Sequence, residues 1–290
     1  MKLVDLFCGI GGASYGGSLF ADVALAVDSD PDALEVHRQN HPDCKHVCTA
    51  LPCDSLTLPK GPIHIHASPP CQAVSQANRS VAESKRQAAL HLIQWAARFC
   101  QEHGTTWSLE QVGSPPVYDL LNRMGVAFDV FDFSDLGVPQ TRRRVIAGSP
   151  EIVEALRAEA GKDSSPLGVR DVIPRCRGSH VRNSTTSTFE VRDGARRQIP
   201  LTESHPSFAR HVSEPAYTVT GNSPLRWYSP GAVGCTIFTP REVAFVQGFP
   251  ANYKLHEVRR LAYLHVGNAI PPIVMSLIMR EAVQTVRQRV

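Results

Sequence analysis

Cys71 stands in the stretch Ser68-Pro69-Pro70-Cys71-Gln72-Ala73-Val74-Ser75. Two consecutive proline rings stiffen the backbone ahead of the thiol. The apolar run Ile63–Ala67 just before them reads as a buried strand. A stiff loop at a strand end can present a thiolate, a strong nucleophile, to a ligand. The ordinary alternative is a structural cysteine in a core. Glu110, in Leu109-Glu110-Gln111-Val112, ends another strand and should face the same edge as Cys71. A carboxyl group beside apolar surface can act as a proton donor; the alternative is a solvated strand-end acid. A third stretch is Gly137-Val138-Pro139-Gln140-Thr141-Arg142-Arg143-Arg144. In extended chain Arg142 and Arg144 point one way and Arg143 the other. Two fixed guanidinium forks on one face suit a phosphate and a base carbonyl, unless they form only a solvated basic edge.

A ligand turn accompanies these groups. Asp5-Leu6-Phe7-Cys8-Gly9-Ile10-Gly11-Gly12, with Gly16-Gly17 behind it, places a glycine-rich turn after the first strand. Doubly wound folds bind nucleotides at such a turn, and glycines let backbone pass close to a ligand. The spacing is not a clean G-x-G-x-x-G, which argues against a dinucleotide. Asp28 ends the second strand, where a carboxylate commonly accepts hydrogen bonds from ribose hydroxyls. Asp30 has a different task as a helix N-cap.

The elements that must position these residues can be read from the pattern. Strands are predicted at Leu3–Phe7, Val23–Val27, Ile63–Ala67, Thr106–Glu110, Val126–Phe133 and Arg144–Ala147. Helices are predicted at Pro31–Asn40, Lys85–His103, Pro116–Met124, Pro240–Gln247 and Pro271–Arg287. The alternation over the first half predicts an α/β fold with a mainly parallel, doubly wound sheet. The pattern breaks near Gly161, and a Ser-, Thr-, Arg- and Pro-rich stretch reads as a small domain of loops and short strands. The last helix turns Val274, Leu277, Ile278 and Ala282 to one side and is expected to pack back on the first domain.

The chain has 290 residues and a net charge of +3. Between Arg170 and Arg226 it carries nine arginines, no lysine and five acids. That local surplus exceeds the surplus of the whole chain and suits a polyanion. No apolar run reads as a membrane span, and Asp5 stands where a secretion signal would need an apolar core, so none is read there. His41, Cys44, His46, Cys48 and Cys53 crowd together without a C-x-x-C pair, so no metal site is assigned.

Taken in order, these stretches resemble the DNA (cytosine-5) methyltransferases. The resemblance rests on the glycine-rich first motif, Pro-Pro-Cys-Gln, Glu-x-Val, Gln-x-Arg-x-Arg, Thr239-Pro240-Arg241-Glu242 with Gln247-Gly248-Phe249-Pro250, and Gly267-Asn268-Ala269-Ile270-Pro271-Pro272. It covers roughly residues 1–150 and 214–290. It implies a Rossmann-like fold with a small irregular or β target-recognition domain. Residues 1–162 and 256–290 would form the catalytic domain, and 163–255 the recognition domain and hinge. It implies methyl transfer from S-adenosylmethionine, leaving S-adenosylhomocysteine, to carbon 5 of a flipped cytosine in double-stranded DNA. Cys71 would add to carbon 6, Glu110 would bind the exocyclic amine and protonate ring nitrogen 3, Arg144 would hold the base carbonyl, and Arg142 would brace the loop or a phosphate. Phe7, Gly9, Ile10, Gly11, Gly12, Asp28, Ser29, Pro69, Asn268 and Ala269 would surround the cofactor. Ser75, Arg79, Arg86 and Gln140 would meet the DNA. The resemblance further implies a monomer inside a bacterial cell or the host cell of a phage or virus, with a cognate restriction endonuclease as a candidate partner.

The chain departs from the family pattern at several points. Gln111 stands where the family usually has Asn, so the bond bracing the catalytic loop is expected to be re-routed. Ala50 stands where an acid normally meets the adenine amine, with Asp54 nearby as a substitute, and Ser29 replaces a bulky residue against adenine. Residues 76–89 lack the usual glycines. The short recognition region predicts a short site or low specificity. Two rival readings remain at this point. One is the same chemistry on tRNA, whose branch carries a Cys-Phe-Thr signature that Cys235-Thr236-Ile237-Phe238-Thr239 only superficially matches. The other is a non-catalytic DNA-binding relative, against which the joint presence of Cys71, Glu110, Gln140, Arg142 and Arg144 argues.

Overall fold

Short apolar runs between Lys2 and Gly148 build one seven-stranded sheet in the computed structural model. The structure describes residues 1–53, 56–75, 80–162, 165–174, 176, 178, 180–183, 189–192, 195–198, 210–221, 225–228 and 235–289. In chain order the first half comprises β1 (Lys2–Leu6), α1 (Gly12–Ser18), β2 (Asp22–Asp28), α2 (Pro31–Asn40), β3 (Lys45–Cys48), β4 (Ile63–Ala67), α3 (Glu83–His103), β5 (Thr106–Val112), α4 (Pro115–Met124), β6 (Ala127–Asp132), β7 (Arg143–Gly148) and α5 (Pro150–Ala160). The strand order is β3-β2-β1-β4-β5-β7-β6. The first five strands in that order run parallel, while β7 is antiparallel to both its neighbours. The order reverses between β1 and β4, so their C-terminal ends open the crevice where such sheets bind ligands.

Local chemistry explains where the helices start. Asp30 caps α2 by accepting the Asp32 and Ala33 amides, with Pro31 at the first helical position. Thr239 and Glu242 form a reciprocal capping box on α7 (Pro240–Val246). Two more helices follow it, α8 (Arg259–Asn268) and α9 (Pro272–Gln288). α1, α5, α8 and β3 escaped the pattern analysis. α1 is rich in glycine, and β3 is a half-polar edge strand.

Side-chain alternation gives the sheet two cores. Val4, Leu6, Ile63, Ile65, Trp107 and Leu109 pack under α3 and α4. On the other face Leu3 and Ile146 meet α1, α5 and α9 through Ala13, Ile152, Val274, Met275 and Ile278. Each such buried aliphatic side chain contributes about 2 kcal/mol, which fastens α9 to the first domain as expected. Leu277 is only half-buried, and Met275 and Met279 complete the stripe instead. Residues 259–288 are apolar enough to cross a membrane, contrary to the composition reading. However, they form two helices, and 67% of the apolar window is buried inside the protein.

Among the described residues between α5 and α7 lie a short helix, α6 (Val169–Val172), and six short strands: β8 (His180–Asn183), β9 (Phe189–Arg192), β10 (Ala195–Gln198), β11 (Arg210–His211), β12 (Leu225–Tyr228) and β13 (Thr236–Ile237). They form a four-stranded sheet ordered β11-β8-β12-β13 and a separate β9-β10 pair. A third core joins this region to the first. Val169, Val212, Val219 and Phe238 share it with Ile10 and Val36, and with Val243, Phe249, Tyr253 and Val266.

Candidate active site

The glycine turn forms where β1 stops. Phe7 leaves the strand with φ +59°, followed by Gly9 at +52° and Gly11 at +95°. A left-handed non-glycine residue carries about 1–2 kcal/mol of strain, and such strain concentrates at functional turns. A side chain at Gly9 would meet nothing within 4 Å. At Gly11 it would strike the Tyr253 hydroxyl at 2.7 Å, and at Gly12 the Ile270 carbonyl at 2.1 Å. The turn therefore contains two kinds of glycine. Gly9 borders free space, whereas Gly11 and Gly12 lie where an added side chain would strike packed neighbours, and Ile10, between Gly9 and Gly11, is buried. Asp28 accepts the Gly9 and Asp30 amides at 2.8 Å each, which fixes its carboxylate beside that free space. Ser29 is exposed beside it, Asn268 is exposed at the end of α8, Ala269 is half-buried and Pro69 is buried.

Cys71 leaves β4 on the expected stiff loop. Its carbonyl accepts the Val74 and Ser75 amides at 3.1 and 3.0 Å, so the chain turns immediately after it. Gln111 Nε2 donates to the Pro69 carbonyl at 3.0 Å, while its Oε1 accepts the Val112 amide. The extra methylene thus lets Gln111 reach the Pro-Pro-Cys loop and brace it. Burial raises the Cys71 thiol above its usual pKa, and Glu110 adds to the rise. Arg144 and Arg142 oppose it. The four residues expected to do chemistry are therefore close enough for their charges to act on one sulfur.

Glu110 and Arg144 pair directly, Arg144 Nε lying 3.0 Å from Glu110 Oε1 with both side chains largely buried. Arg142 is only 3% exposed and donates to the Val219, Gly267 and Ala269 carbonyls. Burial brings its guanidinium down to about 9. It clamps the Val219 segment to the C-terminal end of α8, and its burial leaves no face for a phosphate. Gln140 is fully buried. Its Nε2 donates to the Val246 carbonyl and Gln247 Oε1, and its Oε1 accepts the Val219 amide. The expectation of a DNA contact there is corrected: every polar atom of that side chain is committed to the protein.

Of the remaining DNA candidates, Ser75 is half-buried beside the Cys71 turn. Arg86 sits in the first turn of α3, paired with Glu83 at 2.9 Å. Arg79, like Asp54, lies outside the described residues. A cleft of about 390 Å³ between α3 and α4 holds none of the site residues.

Several residues brace the site from far along the chain, and of these Gln247 alone stood in a motif noted in the sequence. Gln247 donates to the Ala269 carbonyl, and the Tyr253 hydroxyl donates to the Ile10 carbonyl, tying 247–253 to the end of α8 and to the glycine turn. Arg210 lies over the Tyr217 ring at 4.4 Å and donates to Thr141 Oγ1, joining the 210–217 segment to the stretch just before β7 that carries Arg142. Only tertiary contact reveals these roles.

Comparison with known proteins gives one consistent picture. The model of the C-5 cytosine-specific DNA methylase family matches residues 1–109 and 234–284. The match holds the glycine turn, Cys71 and the Asn268 segment; Glu110, Arg142 and Arg144 lie outside it. The Type II methyltransferase M1.ScrFI of Lactococcus lactis subsp. cremoris is 24% identical over 292 residues, covering 93% of this chain and 74% of its own. Type II methyltransferase M.HgiDI of Herpetosiphon aurantiacus is 28% identical over 302 residues, covering 93% and 90%. Among solved structures, a DNA modification methyltransferase encoded within an E. coli prophage superposes with a TM-score of 0.64 at 20% identity, covering 99% of each chain. The S. pombe Dnmt2 methyltransferase superposes with a TM-score of 0.60 at 17% identity, again covering 99% of each chain. At those identities the two structures speak for the fold alone.

Proposed function

The chain belongs to the C-5 cytosine-specific DNA methylase family, and on that premise we propose that Cys71, Glu110 and Arg144 act directly on a flipped cytosine in double-stranded DNA. The protein is a DNA (cytosine-5) methyltransferase that transfers a methyl group from S-adenosylmethionine to carbon 5 of cytosine. Neither RNA methylation nor a purely binding role gains support from the family or the relatives. The observation that carries the residue assignment is the half-buried Cys71 thiol, under the joint influence of Glu110, Arg144 and Arg142 at the ligand edge of the sheet.

The Gly9 turn fits the cofactor. Its free space, the Asp28 carboxylate at the β2 end and the exposed Asn268 supply room, an acceptor for ribose hydroxyls and a polar cap. Phe7, Ser29, Pro69 and Ala269 complete the surround. When bound, the cofactor supplies an electrophilic methyl sulfonium. The chain's own residues do the rest. The base leaves the helix and enters the site. Cys71, as thiolate, adds to carbon 6. Glu110 binds the exocyclic amine and gives ring nitrogen 3 a proton, so charge does not build there. Carbon 5 becomes nucleophilic and takes the methyl group. Loss of its proton and expulsion of Cys71 restore the ring. Arg144 holds the base carbonyl and orients Glu110, while Arg142 locks the segments around them.

Residues 163–255 act as the recognition domain and hinge, reading a short or loosely defined site. The enzyme works as a monomer in the cytoplasm of a bacterial, phage-infected or virus-infected cell, with a cognate restriction endonuclease as its counterpart. The test is transfer of labelled methyl groups to duplex DNA of varied sequence and to tRNA, with bisulfite mapping of the modified base. Label at carbon 5 of cytosine in duplex DNA is expected. Transfer to tRNA alone would overturn the substrate assignment, and a long unique consensus would overturn the reading of the recognition domain.

A further inference from the structure

A second set of polar side chains lies buried below the catalytic edge and takes no part in the chemistry above. On β4 and β5, His64 pairs in register with Thr106, and His66 with Ser108. All four residues are fully buried. Thr106 Oγ1 lies 2.9 Å from His64 Nδ1, and His64 Nε2 lies 2.9 Å from Ser108 Oγ. Ser108 Oγ in turn lies 2.8 Å from His66 Nδ1, and His66 Nε2 lies 2.9 Å from Ser68 Oγ. These contacts make one unbroken line of five side chains. It climbs the sheet and stops at Ser68, where the Pro-Pro-Cys loop begins.

Burial drives both imidazoles down to about 3, so each is neutral, with one donor and one acceptor nitrogen. The Ser108 hydroxyl touches both rings and has one proton, so it donates to one and accepts from the other. The line therefore has a single donor-to-acceptor sense, and each link orients the next. Two imidazoles in a buried parallel strand are an unusual choice where valine or isoleucine would pack. Left unbonded, each polar group there would be costly to bury. That the line is complete as far as Ser68 shows where it leads.

Alternation along β5 puts Thr106, Ser108 and Glu110 on one face of the sheet and Gln111 on the other. The strand carrying the carboxyl group thus grips the start of the thiol loop from both faces. Ser108 acts through His66 on Ser68, and Gln111 acts directly on the Pro69 carbonyl. We infer that His66 and Ser68, backed by His64 and Ser108, are positioning residues that set the Cys71 thiol against the Glu110 carboxyl group for addition to cytosine. The inference rests on the roles proposed above for Cys71 and Glu110.

Ser68→Ala removes one hydroxyl at a half-buried position and empties no core. Ser68→Thr keeps the hydroxyl, and Ser108→Ala breaks both imidazole bonds. Full-length variants are compared in kcat, in KM for DNA and cofactor, and in the rate of covalent capture by duplex DNA containing 5-fluorocytosine. Because a misplacement of about 1 Å can lower rates on the order of 100-fold, Ser68→Ala should lower kcat and capture rate by roughly 10-fold or more. KM should stay within about twofold, and Ser68→Thr should recover most of the loss. Wild-type kcat in Ser68→Ala would overturn the inference, as would a loss that Ser68→Thr shares equally. Should Ser108→Ala fail to fold, Ser68→Ala decides alone. A wild-type enzyme that forms no adduct would sink the proposed chemistry and this inference with it. Normal capture by both wild type and Ser68→Ala would sink the inference alone.

Discussion

Arg144 Nε lies 3.0 Å from Glu110 Oε1, bridging two antiparallel strands at the edge where Cys71 also stands. The guanidinium is planar and can hold a carboxylate and a base carbonyl at once, which an ammonium cannot reproduce. Arg144→Lys should therefore keep the charge and still lower kcat/KM on the order of 100-fold, the scale for losing one directed donor. Labelled methyl transfer reads this. A lysine variant within twofold of wild type would show that the fork is not needed.

The pH dependence of the nucleophile follows from its surroundings. Burial, then Glu110, raises the Cys71 thiol, while Arg144 and Arg142 pull it back. The thiol form dominates near neutrality, and the thiolate share grows with pH. Adduct formation should thus rise from pH of about 6.5 to about 8.5, approaching tenfold per unit below the thiol pKa. Arg144→Gln removes one opposing cation and should move the rise to higher pH. A rate that is flat or falling across that range contradicts this account of the sulfur.

Acid should unfold the protein. His37 is lowered to about 2, His41 to about 4, and His64 and His66 to about 3, each chiefly by burial. Near pH 5 the unfolded chain binds protons on these four imidazoles that the folded chain does not. Asp5 works the other way: burial raises it to about 7, so the folded chain holds one proton that the unfolded chain has released. Four against one leaves three, so stability falls with falling pH by up to about 4 kcal/mol per unit. A typical margin of about 5–15 kcal/mol would vanish within a few units below neutrality. Thermal midpoints measured from pH of about 7.5 down to about 5 should drop steeply. A constant or rising midpoint would contradict the assignment of neutral buried histidines.

The chemistry of this site was more legible in the sequence than its bracing. Cys71, Glu110 and Arg144 could be found because each lies near a strand end, Cys71 behind two prolines and Arg144 in a repeated charge, although β5 runs two residues past Glu110. Arg142 was visible as a residue on the same face as Arg144, but only the fold shows that it faces the Val219 and Gly267 carbonyls. Gln140 misled because a polar side chain in a basic stretch looks available, whereas contacts far along the chain bury it. Six of the seven strands of the main sheet were readable from apolar runs, and the half-polar edge strand β3 was not. α1 was not, since its glycines are there for packing against Ile270 and Pro272, which no local pattern can express.

The two kinds of glycine in the first turn should separate by substitution. Gly9→Ala meets no atom and carries only about 1–2 kcal/mol of left-handed strain. It should fold and bind cofactor several-fold more weakly. Gly12→Ala would drive a methyl group into the Ile270 carbonyl at 2.1 Å and should yield little folded protein. Calorimetric cofactor titration and thermal melting distinguish the two. Unchanged binding in Gly9→Ala would move the cofactor away from that turn.

The account turns on covalent attack by Cys71. Duplex DNA carrying 5-fluorocytosine at a methylated site blocks the final proton loss, so an enzyme bonded to carbon 6 stays attached. With S-adenosylmethionine present, wild-type protein should form a denaturant-resistant protein–DNA adduct whose digest places the bond on Cys71, and Cys71→Ala should form none. An adduct of equal yield from Cys71→Ala, or methyl transfer by that variant at the wild-type rate, would contradict the account.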